Sequence, residues 1–332
     1  MKTLLTCLLI ALRLCAFSAD FDYVFVGSSP ICLIEALYRS HMGSKVLILE
    51  AEPDLGGAWK SINICGIKNV DMGCHQIGAD PKLRKFLEER VGCCFVPMNN
   101  PHKQKELLRS SDHGIYFSKG CHELVNNLEK LISKSSILLL KNHRLESVYL
   151  DFDRSIAIVK SGNKHFTTSK LVVTPSSYLE IENFPNFPKP SISKHYHLYL
   201  LIEDETPERF TYYNGFCAGM SRSINVTSFS AELRNKRQQL IAIQTHDQNS
   251  LNNPQFFMDE LKKQQLIASH ARLILSESYI YQQAHLNQSS LQNFHPKASS
   301  FFEILGTDAI WNIARHVDKW EKAFPPYYSI AQ

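Results

Sequence analysis

Two kinds of apolar pattern alternate near the start of the chain. Tyr23 to Val26 is a short run of strand-forming residues, and Lys45 to Leu49 is a second, apolar enough to be buried on both faces of a parallel sheet. Between them Ile31, Ile34, Leu37 and Tyr38 recur at helical spacing. The helix they predict starts near Ser29 or Pro30, because Pro is accommodated in a first turn and Ser can cap exposed amides, and Gly43 closes it. Gly27 stands where the first strand must turn sharply into that helix, and Glu50 ends the second strand.

The later pattern is also mixed. Tyr116 to Ile132 reads as a turn at Gly120 followed by a helix. Val148 falls in a small sheet, with a hairpin turn at Ser161-Gly162-Asn163 and a buried strand at Leu171 to Val173. Lys194 to Ile202 alternates like a strand of a second sheet, and Gln238 to Gln244 is another strand. Asn252 to His270 reads as a helix beginning near Pro254. Near the end a strand reaches Leu305, Gly306 makes a turn, Thr307 or Asp308 caps a helix, and Ile310, Ile313, Val317 and Trp320 lie along its face. These elements predict an α/β fold.

The strand, turn, helix, strand and acid from Val24 to Glu50 have a physical purpose. A helix N-terminus attracts a pyrophosphate, and an acid about 20 residues past the glycine turn accepts hydrogen bonds from a ribose. The G-x-G-x-x-G template falls on Gly27, Ser29 and Cys32, so its first glycine alone is kept. Ser29 is short and polar, and Cys32 is small enough for helix and strand to pack closely. Two outcomes stay open: a dinucleotide site that tolerates these changes, or a fold that has lost its cofactor.

After Glu50 comes AEPDLGGAW, with a second flexible turn at Gly56 and Gly57. This stretch resembles the FAD-dependent oxidoreductases that include flavin amine oxidases, protoporphyrinogen oxidase, phytoene desaturases and UDP-galactopyranose mutase. The resemblance implies FAD, with Gly27, Ser28, Ser29, Glu50, Gly56, Gly57 and Trp59 against it; Ala58 stands where many members have an arginine that meets the phosphates. NVDMGCHQIGADPKLRKFL, from Asn69, is similar to the segment that brings D-x-G beside the flavin ring, which implies a place near the flavin for Gly73 and His75, although a structural histidine in a turn is an equal reading. By the same resemblance Val148 sets its backbone against adenine, Thr174 and Pro175 return the chain to a substrate domain, and Gly306 supplies a turn at the pyrophosphate. Arg222, in a strand-like GMSRSINVTSF, could bind an anionic substrate group or form a surface ion pair, and Tyr196, Tyr199, Tyr212 and Tyr213 could line a flavin-facing pocket or belong to the core.

The implied architecture is a Rossmann-like FAD-binding domain with a parallel sheet plus an interleaved α+β substrate domain. Residues 19–80, 112–178 and 290–326 form the first, and residues 81–111 and 179–289 the second. The expected function is an amine oxidase-like FAD-dependent oxidoreductase, with hydride transfer from a C–N or C–C bond of a small-molecule substrate and with His75 and Arg222 as candidate catalytic residues. The alternatives are a flavoenzyme like UDP-galactopyranose mutase and a non-catalytic Rossmann-fold protein without FAD.

Composition narrows this further. A chain of 332 residues with 44% hydrophobic residues can bury a full core. Its net charge is +4, and removing a leader with Lys2 and Arg13 leaves 34 minus 32, or +2, with no basic tract for nucleic acid. Residues 1–18 carry Lys2, an apolar run from Leu4 to Leu12 and the small residues Ala16 and Ser18, which together read as a signal peptide. The run is short of the about 20 residues a membrane span needs. A secreted, periplasmic or secretory-lumen protein without an integral membrane span is expected. Nine cysteines less Cys7 and Cys15 leave seven, an odd number without C-x-x-C or zinc spacing, so buried thiols are expected rather than a disulfide framework or a metal site. Asn225-Val-Thr and Asn287-Gln-Ser fit the glycosylation acceptor pattern.

Overall fold

In the computed structural model the first strand, β1, is Phe21–Val26, and it lies at the centre of a parallel array. The structure describes residues 19–72, 80–97, 115–175, 177, 179–184, 187, 191–206, 210, 212–213, 220–230, 232–233, 237–285, 296–306 and 313–326. The leader, His75, Gly73, Asn287 and Thr307 to Ile310 lie outside these residues.

On one side β1 pairs in parallel with β2 (Val46–Leu49), and β2 pairs in parallel with β7 (Leu138–Leu140). On its other side β1 pairs in parallel with β10 (Lys164–Val173), which pairs in parallel with β16 (Phe302–Ile304). The strand β2 is fully buried along its length, as its unbroken apolar sequence predicts. The helix α1 (Pro30–His41) connects β1 to β2, with Ser29 as its N-cap and Pro30 in its first turn. It packs beside α3 (Cys121–Ser133), and both bury Ile31, Leu37, Leu124 and Leu128 against Phe25, Ile48 and Val172 of the sheet. The other short elements before α3 are a hairpin of β3 (Ser61–Ile64) and β4 (Ile67–Asp71), the helix α2 (Pro81–Phe86), and the pair β5 (Phe95–Pro97) and β6 (Ile115–Phe117).

The sheet containing Val148 is larger than expected. The strands β8 (Ser147–Asp151) and β9 (Ile156–Ser161) form an antiparallel meander that runs through Gly162-Asn163 into β10. Because β10 is ten residues long, its first half pairs with β9 and its second half continues between β1 and β16, so one seven-stranded sheet results. Val148, Leu150, Ala157 and Val159 then cover Val24, Leu47, Leu171 and Val173, the face away from α1.

A second sheet of five strands has the order β12 (Tyr212–Tyr213), β13 (Met220–Asn225), β14 (Gln238–Thr245), β11 (Ser191–Glu203) and β15 (Arg272–His285), all antiparallel. The helix α4 is Pro254–Lys263. It is shorter than the apolar spacing suggested, because Gln265 takes a left-handed φ of 56° and turns the chain. Phe257, Met258 and Leu261 of α4 bury Leu198, Leu200 and Ile243. Tyr199, Leu201, Ile224 and Ala242 on the opposite face join the core of the first sheet. Covering both faces explains why β11 is continuously buried from His197 to Ile202 instead of alternating.

The C-terminal segment folds back onto α1. After α5 (Pro296–Ser299) and β16, the last helix, α6 (Val317–Trp320), is one turn long, and it keeps the expected face with Ile313, Val317 and Trp320 all buried. Glu35 of α1 is wholly buried, and its carboxylate accepts hydrogen bonds from Arg39 Nε at 2.7 Å, Lys319 Nζ at 2.6 Å and Trp320 Nε1 at 2.7 Å. Arg39 also donates to Tyr23 Oη and Glu303. Burial works against the Arg39 charge, but Glu35 and Glu303 outweigh it and hold the guanidinium above its ordinary value. His41 stacks edge-on against Phe324, and His316 lies over Trp320.

Cys32, Cys65, Cys93 and Cys121 are buried thiols, as expected, and Cys94 is an exposed one. Asn225 is wholly buried, with its amide bonded to Gln239 and its carbonyl to Thr227, so this glycosylation triplet is sealed inside the fold. Among the described residues no helix is long and apolar enough to cross a membrane.

Replacing Glu35 with Ala leaves Arg39 with Glu303 alone and removes the acid that Lys319 and Trp320 Nε1 share. A loss of about 3 kcal/mol is expected, the lower end for a broken buried pair because both cations keep some contact with water; urea unfolding measures it. Desolvation lowers the pKa of His41 and of His316, with Lys319 and Arg315 adding to the latter effect and Glu35 and Glu303 opposing it. Both rings are therefore held neutral, and their contribution is fully present above about pH 6.5 and lost as pH falls through the lowered folded values. A urea midpoint that drops below about pH 6.5, with a shallower drop in His41→Asn/His316→Asn protein, is the expected result.

Candidate functional site

The parallel strands β7, β2, β1, β10 and β16 all end on one edge, and open α/β sheets bind ligands outside such an edge. Gly27, Glu50, Thr174 and Gly306 follow four of these strands directly or within two residues, so the fold brings them to the same rim. Gly27 N donates to Leu49 O, Leu305 N donates to Val173 O, and the Ser177 hydroxyl joins Val26 O to the Thr174 amide.

Around Gly27 the contacts are dense. The Ser28 hydroxyl donates to Glu50 Oε2 at 2.5 Å and accepts from Gly56 N at 3.1 Å. Glu50 Oε1 accepts from Glu52 N at 2.8 Å, so the buried carboxylate is held at both oxygens. Gly56 needs its glycine: φ is 108°, and an added Cβ would sit 2.8 Å from Val125 Cγ2 of α3. Gly57 lies against Ser29, whose Cβ is 3.7 Å from where a Gly57 side chain would begin. Ser29 caps α1 without a side-chain bond to the helix, and its hydroxyl is buried with no hydrogen-bond partner among the described residues.

A second cluster centres on Asp71. Its buried carboxylate accepts from the Cys121 amide at 2.8 Å, the Ser61 hydroxyl at 3.0 Å and, by a short bond, the Tyr116 phenol. Burial, then Asp71, push the Tyr116 pKa well up, so the phenol keeps its proton and donates. Gly120 allows this approach, since a Cβ there would stand 3.0 Å from Asp71 Oδ1. Tyr199 Oη of the second sheet donates to Asp71 O at 2.9 Å. At the hairpin tip the Cys65 amide donates to Glu277 of β15, and burial, then Glu277, push the Cys65 thiol up to about 12. That thiol stays protonated at neutral pH and is no nucleophile.

Several expected site residues sit elsewhere. Val148 N donates to Glu180 O and Val148 O accepts from Glu182 N, so neither backbone group is left to meet an adenine. Trp59 is buried in the core, edge-on to Phe117 at 6.3 Å, rather than along the rim. Arg222 is on β13, opposite Gln244, in the second sheet and away from the rim. Tyr199 faces the first sheet, whereas Tyr196 points to the other face, where its hydroxyl meets Gln248. The sequence reading missed the segment after β7, which borders the acid: Glu50 N donates to Leu140 O, His143 N to Glu50 O and Asn142 N to Glu52 O. The apolar run at Leu138–Leu140 reads as a strand, but its parallel pairing beside β2, which brings the following loop to Glu50, is set by a partner about 90 residues away.

No family model matches the chain, and no curated protein matches it in sequence. Solved structures do match. A cyclohexylamine oxidase from Brevibacterium oxydans IH-35A aligns over 94% of this chain and 99% of its own, at 11% identity and a TM-score of 0.62. Reduced UDP-galactopyranose mutase aligns over 92% and 93%, at 11% identity and a TM-score of 0.62. The fold is that of the amine oxidase and mutase group. A Rab GDI from Plasmodium falciparum shares it as well, over 91% of this chain and 97% of its own, at 11% identity and a TM-score of 0.55.

Replacing Ser28 with Ala removes one partner each from the Glu50 carboxylate and the Gly56 amide. A loss of about 1–3 kcal/mol is expected from the buried groups left short of a bond, read by thermal unfolding.

Proposed function

We propose that the chain is an FAD-dependent oxidoreductase of the amine oxidase kind, acting on a small organic substrate. One observation carries the reading: the buried, unpartnered Ser29 hydroxyl at the N-terminus of α1, facing Gly57. A buried hydroxyl without a partner costs free energy unless something accepts its bond. A pyrophosphate would do so, drawn by the positive end of the helix dipole and admitted by the missing side chain at Gly57. Glu50 stands where a ribose hydroxyl would be met, once the Ser28 hydroxyl turns away from Oε2. The residues present therefore fit FAD. Pro30 contributes no amide, so Ser29 is the replacement donor at this turn.

Bound flavin would supply the hydride acceptor for a C–N or C–C bond. The chain's own groups do the remaining work. Asp71 fixes the end of β4 between Cys121 and Tyr199, which sets the spacing of the two sheets at the place where the resemblance implies a flavin ring. The apolar residues that surround Tyr116, among them Phe229 at 4.4 Å between ring centres, exclude water on that side. The cyclohexylamine oxidase neighbour supports amine oxidation, and the mutase neighbour keeps a sugar-nucleotide reaction as the alternative.

A second reading is favoured by the Ser28–Glu50 bond itself. With both carboxylate oxygens satisfied, the acid is stable without a ribose, which suits a fold that has become a binding module. The Rab GDI neighbour shows that this fold carries names outside redox chemistry.

Visible absorption separates the readings. Purified protein incubated with FAD is expected to show bands near about 370 and 450 nm, and Glu50→Ala protein to lose them on desalting. No bands in the unaltered protein after that incubation would overturn the flavin reading in favour of the binding module.

A further inference from the structure

A small cavity lies beside Asp71, where three separate parts of the chain meet. Asn69, Val70 and Asp71 of β4 form one wall, Gly120 at the head of α3 a second, and Val226, Phe229 and Ser230, in the turn between β13 and β14, the third. Its volume is about 10 Å³. That is roughly the space of one water molecule, and it leaves no room for an organic ligand.

The walls are held in place by contacts of their own. Gly120 has a left-handed φ of 84°, and a Cβ there would stand 3.0 Å from Asp71 Oδ1, so a larger residue would close the space. Asn69, the exposed residue of the lining, has a φ of 56° and donates its backbone amide to Asn63 Oδ1 at 3.3 Å. In the turn, Phe229 N donates to Val226 O and Ser230 N to Thr227 O, both at 3.1 Å, so these backbone groups are already spent. The Phe229 ring packs on Tyr116, with 4.4 Å between ring centres.

Two polar groups of the lining still have a bond to make. Ser230 is 9% exposed, and its hydroxyl is buried without a hydrogen-bond partner. An ionised carboxylate offers about four acceptor positions. The Asp71 carboxylate fills three of these with the Cys121 amide, the Ser61 hydroxyl and the Tyr116 phenol, which leaves one open. No direct bond joins it to Ser230. A hydroxyl buried without a partner is costly, and so is an ordered group that cannot reach one.

We propose that the cavity holds one buried water molecule that donates to the Asp71 carboxylate and bonds to the Ser230 hydroxyl. Water suits both partners, because the acid only accepts while the hydroxyl donates or accepts. An anion would meet the charge of Asp71, and no group of side chains suited to a metal is found among the described residues. The bridge ties the β13–β14 turn to Asp71, beside the bond from Tyr199 Oη to Asp71 O at 2.9 Å. It does not rest on the flavoprotein reading, since Gly27, Ser29, Glu50 and Gly56 of the rim do not line this cavity.

The test uses the full-length protein, with a crystal structure at a resolution that shows ordered water and with oxygen-17 relaxation dispersion, which counts long-lived internal waters in solution. One peak is expected within about 3.2 Å of both the Asp71 carboxylate and Ser230 Oγ. In Ser230→Val protein the added methyl groups take the space, and the count of long-lived waters is expected to fall by one. An empty cavity in the unaltered protein overturns the proposal, and so does an unchanged count in the valine variant. A peak held at about 2.0–2.6 Å by its oxygen neighbours would be a metal ion and overturns the assignment to water. Should the valine variant fail to fold, Ser230→Ala removes one partner only; faster exchange of this water is then expected, and unchanged exchange overturns the bridge.

Discussion

The carboxylate of Asp71 is the polar junction of parts of the chain that otherwise meet through apolar packing. It accepts from Ser61 across the β3–β4 hairpin, from the first amide of α3 and from the Tyr116 phenol of the β5–β6 pair, while the backbone carbonyl of the same residue accepts from Tyr199 of the second sheet. A buried charge of this kind is tolerated when donors surround it, and here helix dipole, phenol and hydroxyl all do so. Gly120 is part of the same constraint, because a side chain there would push α3 off the acid. The second sheet meets this junction through Tyr199 and the β3–β4 hairpin through Cys65 and Glu277, beside the core that both sheets share.

The rim of the parallel sheet is a different kind of site. Its acid is satisfied from within by Ser28 and Glu52, while the neighbouring Ser29 hydroxyl is left wanting. The altered glycine fingerprint is then more than a loss: Ser29, at the second glycine position, adds a hydroxyl that the glycine form would not have, beside that of Ser28 at the variable position.

Much of this was legible in order of residues. Val24 to Glu50 announced strand, helix and strand through their apolar periods, and the structure keeps those elements within a residue or two because each is a local pattern buried by one sheet. What sequence could not show was set by partners far along the chain. Val148 looked available for a ligand, but its backbone is taken by Glu180 and Glu182, beyond a hairpin and a long strand. Trp59, two residues past a glycine pair, is buried in the core edge-on to Phe117. Arg222 was visible as a charge in a strand-like run, yet its companions Gln244, His197 and Tyr279 become neighbours only through antiparallel register across four strands.

The docking of the last helix bears on how the chain is made. Lys319 and Trp320 follow Glu35 by 284 and 285 residues, and the strand β16 that flanks β10 is nearly as late. Until then the acid on α1 has Arg39 alone, and the parallel sheet lacks a member. The helix α1 thus cannot reach its final packing until residues some 285 positions further along have been made, so a nascent chain holds an incomplete sheet in the meantime.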